Sequence, residues 1–241
     1  MKTSKSQQEQ TQRKILAAAI SLMSQQGYEA TSMKQIAREA GVGDATVYKY
    51  FPSKEKLLFG FFEASIHQAL SDTLATPEFE EFTLQERLQR LLDALLDVLR
   101  PEREFVLVCR EVIGNSPLLI MRDQIPGHAE MKQQILLFLE EAEEQDEIAP
   151  LAFKTVLSSL LMDYVMVVIL YWLKDESKQE ADTTQLIDLS LEVLVLVLQS
   201  GIINKVTELG SFMLRNQMAR MLRGGSGVID MLKLVKRGLG A

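Results

Sequence analysis

Tyr48, Lys49 and Tyr50 stand side by side in the stretch GVGDATVYKYF, residues 41 to 51, and Lys54 follows one helical turn later. Two phenol hydroxyls and two ammonium groups packed this closely can donate hydrogen bonds and charge to phosphate oxygens or base edges. Their rings can at the same time lie along sugars and thymine methyls. The other chemistry-bearing residues do not assemble into a catalytic set. Two histidines and one cysteine are present, and no motif joins them to a nucleophile, a base and an orienting group, so no enzyme is expected. His67 follows Glu63 by one turn, but no third ligand lies nearby in sequence, so neither a metal nor a cofactor is expected. Cys109 lies inside the apolar run FVLVC beside Arg110. It reads as a packed thiol, with a redox switch as the alternative.

Charge is distributed unevenly. The net charge is -7, yet the first 59 residues carry nine bases and five acids, a balance of +4 against -11 for the rest. Such asymmetry fits a small basic module able to approach a polyanion, joined to an acidic body that would not. With 241 residues and a hydrophobic content of 47%, the chain can bury a sizeable core. A single cysteine rules out an internal disulfide framework, and the polar start MKTSKSQQEQTQRK has no signal-peptide pattern, so the expected compartment is the cytoplasm.

Helices are needed to present these residues. Ile15, Ala19, Leu22 and Met23 recur at helical spacing, predicting a helix over 9–26 ended by Gly27. Ser32 and Gln35 have capping-box spacing for a second helix that Gly41 closes. Asp44 is positioned to cap a third helix, which ends at Phe51-Pro52, and Ser53 to cap a fourth reaching about Thr73. Two helices joined by a tight glycine turn form a helix-turn-helix, with the second helix, 45–50, in the position that enters a major groove. Beyond residue 74 further helices are expected near 84–100, 103–113, 128–145, 150–173, 183–204 and 206–222. Period-two alternation is missing throughout, so the fold class is all-α: a three-helix DNA-binding domain followed by a larger helical body.

The stretch from Thr11 to Leu58 resembles the TetR family of bacterial transcriptional repressors. Gly27, Thr31, Ile36, Ala37, Ala40-Gly41-Val42, Thr46, Tyr48, Tyr50-Phe51, Ser53-Lys54 and Leu57 fall where that family has them. At Gly43 the family usually has a serine. The resemblance implies a homodimer on a palindromic double-stranded operator, with Thr31, Lys34, Asp44, Ala45, Thr46, Tyr48, Lys49, Tyr50 and Lys54 as candidate DNA contacts. It also implies a small effector in the acidic body and a dimer interface built from the helices near 150–173 and 183–204. The helix over 53–73 would link the two functions. A second, shorter resemblance, YWLKDESKQEADTTQLIDLSL over 171–191, is to the end of ubiquinone-biosynthesis lipid-binding proteins that share the TetR fold. It favours an apolar, lipid-like effector and supplies the rival reading, a DNA-independent lipid-binding protein.

The residues expected to line the effector pocket are Phe62, Ile66, Phe105, Cys109, Met162, Asp163 and Met166. Asp163 is either a polar anchor in that pocket or a core or interface carboxylate paired with a base such as Arg110. It also interrupts the apolar segment 155–173, so a buried helix is expected there rather than a membrane span. Boundaries are expected at 1–55 for the DNA-binding domain, 56–223 for the effector-binding and dimerisation domain, and 224–241 for an extension. That extension, set off by GGSG, carries the basic amphipathic segment VIDMLKLVKRG. It reads as packing on the dimer or lying on a membrane surface, or as an added tail.

Overall fold

The computed structural model describes residues 5–115 and 126–223, with side chains from residue 6 to 115 and from 126 to 216. The expected extension over 224–241 lies outside them. Ten α-helices and three short 3-10 turns make up the described residues: α1 Lys5–Gln26, α2 Met33–Glu39, α3 Asp44–Tyr50, α4 Lys54–Leu74, α5 Leu84–Leu99, α6 Arg103–Gly114, α7 His128–Glu144, α8 Lys154–Trp172, α9 Ala181–Gln199 and α10 Ile202–Arg223.

Local signals account for most helix ends. Ser32 Oγ accepts from the Gln35 amide at 3.3 Å while Gln35 Oε1 accepts from the Ser32 amide at 2.8 Å, the reciprocal capping box that starts α2. Gly27 and Gly41 close α1 and α2 in the left-handed region, at φ +86° and +66°. Ser53 Oγ caps α4 through the Lys56 amide at 3.4 Å. The start of α3 departs from expectation: Gly43 is the N-cap and offers no side chain, while Asp44 is the first helical residue and not the cap. The single long helix expected over 183–204 ends at Gln199, because Gly201 takes φ +66° and turns the chain into α10.

α1 packs on α2, α4 and α6, and α2 on α3, while α4 lies along α5 and touches α7. α7 and α8 pair in turn, and α9 packs on α5 and α8. Arg87 of α5 is buried and pairs with Glu141 of α7, its other terminal nitrogen donating to the Glu80 carbonyl at 2.9 Å. The end of α8 is held by Arg103, whose Nη2 donates to the carbonyls of Trp172, Leu173 and Asp175 at 3.3, 3.0 and 3.2 Å. α8 is long and apolar enough to cross a membrane by length and composition. One face of it, with Leu161, Met162, Val165, Val168, Ile169 and Trp172, packs into the core, while Val156, Leu160 and Val167 are exposed, so the helix expected to be buried is buried on one side only.

Candidate nucleic-acid interface and apolar cavity

α3 is too short to hold itself together by helix propensity and is positioned by what it buries. Val47 is fully buried, Phe51 nearly so, and Tyr50 is half-buried against the same core. Anchoring position 47 inward turns Asp44, Ala45, Tyr48 and Lys49 outward, all of them exposed, with Thr46 half-buried at the edge. The Tyr48 ring is 53% exposed. Lys49 Nζ lies 5.5 Å from the centre of the Tyr50 ring, so its ammonium stays on this outer face. Lys34 and Arg38, one turn apart on α2, are exposed as well. Arg38 was missing from the expected contacts, although its spacing from Lys34 places both on one helix face.

Two expected contacts turn inward. Thr31 is only 2% exposed; its hydroxyl donates to the Gly27 carbonyl at 2.8 Å and accepts from Gln26 Nε2 at 3.1 Å. It closes the α1–α2 corner and has no surface to offer a phosphate. Lys54 is half-buried: Nζ donates to the Tyr28 carbonyl at 2.6 Å and sits 4.1 Å from the centre of the Tyr28 ring. It braces α4 against the α1–α2 corner. The Tyr28 hydroxyl in turn donates to Glu55 Oε1 at 2.9 Å. Burial, then that carboxylate, pushes the phenol's pKa well above its ordinary value, while the Ser53 hydroxyl leads the groups that hold Glu55 low.

An apolar cavity of about 270 Å³ lies between α4, α5, α6, α7 and α8. Phe62 and Ile66 from α4 and Met162 and Met166 from α8 line it, as expected. Phe105, Cys109 and Asp163 do not. Phe105 stacks edge-on against Phe61 at 4.9 Å on another flank of α6, and Cys109 is fully buried in packing. Asp163 neighbours Met162 on α8 but is not part of the cavity wall. Sequence reasoning missed Leu95, Leu99, Val106, Arg110, Met131, Val165 and Ile169. Val106 and Arg110 share one α6 stripe, and Val165 and Ile169 continue the stripe of Met162 and Met166. Burial holds the Cys109 thiol pKa far above its ordinary value.

Among the described residues no three His, Cys, Asp or Glu side chains converge as a metal site. His67 instead faces Glu130 of α7, with Nε2 4.0 Å from Oε1. Larger depressions, one of about 630 Å³ along α1, α4 and the start of α6, are open to solvent and edged by charged side chains such as Arg13 and Glu104.

α4 connects the two regions. Near its start Leu57 and Leu58 are fully buried and Gly60 meets the Phe51 ring; one turn later Phe62, Ser65 and Ile66 form a cavity wall. Gly127, at the N-cap of α7, presses on Ile66 so closely that a Cβ there would stand 3.1 Å from the Ile66 side chain.

Comparison with known proteins places these features in a family. Residues 15–60 match the family model described as bacterial regulatory proteins, tetR family, and residues 87–213 that of the tetracyclin repressor-like C-terminal domain. The fatty acid metabolism regulator protein of Bacillus subtilis is 24% identical over 194 residues, 79% of this chain and 95% of that protein. A relative from the same organism, named probable HTH-type transcriptional regulator YttP, is 32% identical over 160 residues, 63% of this chain and 75% of that protein. Among solved structures, a TetR transcriptional regulator from Nitrosomonas europaea shares the fold with a TM-score of 0.58 at 20% identity, over 76% of this chain and 96% of that one. Matches to both halves, in the order in which the structure presents a helix-turn-helix and a helical body, establish that this chain belongs to the TetR family of bacterial DNA-binding transcriptional regulators.

Proposed function

We propose that the protein is a cytoplasmic repressor that binds a palindromic operator as a homodimer and is released when an apolar small molecule fills the cavity. It is a binding protein rather than an enzyme, with no stable insertion in a membrane. DNA binding is assigned to residues 1–55, and effector binding and dimerisation to 56–223. Ala45, Tyr48 and Lys49 would enter the groove, with Asp44, Thr46 and Tyr50 at its margin and Lys34 and Arg38 over the backbone. The observation that carries this reading is α4, one continuous helix that seats the DNA-binding helices at one end and walls the cavity with Phe62, Ser65 and Ile66 further along. A ligand with different affinity for two tilts of α4 shifts the spacing of paired recognition helices, and the factor by which ligand weakens DNA binding equals the factor by which DNA weakens ligand binding.

The dimer assignment rests on exposed apolar residues on the two helices expected to form it. Val156, Leu160 and Val167 on α8 and Leu189, Val193 and Leu196 on α9 are each more than half exposed, a patch larger than isolated surface hydrophobes require. A fatty acid metabolism regulator among the relatives agrees with an apolar effector. The testing experiment is selection of bound sequences from random duplex DNA by the purified protein. Recovery of a palindrome supports a dimeric regulator; no enrichment at low salt by a folded dimer would favour the DNA-independent lipid-binding protein.

A further inference from the structure

The cavity between α4, α5, α6, α7 and α8 offers a ligand no polar partner. Ser65, Arg110 and His128 stand in its wall, yet the surface presented to the interior is almost entirely apolar, so their polar atoms are turned elsewhere. Among the described residues, the side chains that bury an unpartnered polar atom are Arg87, Gln89, Arg103 and Trp172, and none of them lines the cavity. No orphaned donor or acceptor therefore waits in the wall for a ligand group. An ordered water needs two to four polar partners, and a hydroxyl or a charge taken out of water without a partner costs free energy, steeply for the charge. These walls offset neither cost.

We propose that the ligand of this cavity is an uncharged hydrocarbon, held by apolar contact alone with no headgroup recognised. The assignment rests on the reading of this cavity as the effector site and goes further by naming the ligand class and excluding alcohols and carboxylates of the same shape. Size narrows the class. An apolar cavity of about 150 Å³ takes one benzene, so about 270 Å³ takes a substituted ring of roughly eight to ten carbons rather than a long acyl chain. Met131 of α7 and Met162 and Met166 of α8 place three unbranched thioethers in the wall, which adapt to rings of different outline. Polarity is thus selected more sharply than shape.

The test is isothermal titration of the full chain with p-xylene, p-cresol and p-toluate, three probes of nearly one shape that differ in polarity. p-Xylene is expected to bind roughly tenfold to hundredfold more tightly than p-cresol, and p-toluate more weakly than either. Met166 lines the cavity and is partly exposed, so Met166→Gln is compatible with folding and gives a hydroxyl a partner. It should narrow the ratio of p-xylene to p-cresol affinity at least threefold. Val165→Phe, which takes up cavity space, should weaken p-xylene binding at least tenfold without loss of helicity. p-Cresol or p-toluate binding as tightly as p-xylene overturns the hydrocarbon assignment and leaves the cavity as the effector site. A p-xylene preference that neither substitution alters places binding elsewhere and overturns it as well. If none of the three probes binds, the effector reading of the cavity falls together with the proposal. If p-xylene binds with the expected preference and leaves DNA affinity unchanged, the ligand class stands and only release by the ligand falls.

Discussion

The Phe51 ring rests directly on the backbone of α4 at Gly60: a Cβ added to Gly60 would stand 2.7 Å from Phe51 Cε1. Phe51 closes α3 and is itself almost fully buried, so this contact fixes the angle at which the candidate recognition helix leaves α4. Two effects oppose each other in Gly60→Ala. Alanine improves helix propensity by about 1 kcal/mol, while forcing a buried aromatic ring aside costs about 1–3 kcal/mol. The clash should win. Gly60→Ala is expected to lower the thermal midpoint slightly, Gly60→Val to lower it further, and both to weaken DNA binding more than their stability loss accounts for. A midpoint raised by Gly60→Ala would show that the ring moves freely and that this seat does not set α3.

Two lysines should separate by what their removal does. Lys54 bonds the Tyr28 carbonyl and covers the Tyr28 ring, so Lys54→Met is expected to cost about 1–2 kcal/mol in chemical denaturation. Lys49 is exposed on α3, so Lys49→Ala should leave stability within about 0.5 kcal/mol and reduce the salt slope of DNA binding by about one. Tyr48→Ala should likewise spare stability and lose DNA affinity. Unchanged binding by both Tyr48→Ala and Lys49→Ala would remove α3 from the interface.

How legible these features were depends on how local their causes are. Gly27, Gly41 and the Ser32–Gln35 capping box act within a few residues, and the end of α1 and both ends of α2 follow from them. Thr31 and Lys54 could not be placed by the same means. A threonine after a helix end has one sequence signature whether its hydroxyl meets solvent or the Gly27 carbonyl. A lysine in a first helical turn likewise does not reveal that a tyrosine ring 26 positions earlier lies under it. In the cavity, the four-residue spacings of Phe62 with Ile66 and Met162 with Met166 mark two walls. α6 was harder, because periodicity shows that a stripe exists but not which neighbour it faces. Val106 and Arg110 reach the cavity, while Phe105 and Cys109 pack elsewhere.

Cys109 is fully buried and its thiol is held protonated by the loss of solvation. A protonated, inaccessible thiol is a poor nucleophile, so a redox role is not expected. Native protein at pH 8 should therefore resist an aromatic disulfide reagent, and denatured protein should release one equivalent of reporter promptly. Rapid reaction in the native state, without loss of helicity, would contradict the packed-thiol assignment.

Asp175 offers a pH test outside both candidate sites. Its Oδ1 accepts from the Ser177 amide at 2.8 Å and hydroxyl at 2.6 Å, and its Oδ2 accepts from the Thr183 amide at 2.8 Å and hydroxyl at 2.6 Å. Together these bonds tie the turn after α8 to the first turn of α9. The Ser177 and Thr183 hydroxyls, ahead of the amides, hold this carboxyl well below the ordinary range. A carboxyl depressed on folding contributes stability in full above its unfolded pKa, about 3.9, and loses it as pH falls toward the lower folded value. Asp175→Ala, which removes a cap, should cost about 1–2 kcal/mol at pH 7. The gap between wild type and variant should stay constant down to about pH 4.5 and narrow below pH 4, where only the wild type gives up the contribution. Parallel thermal melts of the two proteins across that range read the difference directly, and a gap that narrows already between pH 7 and 5 would assign the stabilisation to some other group.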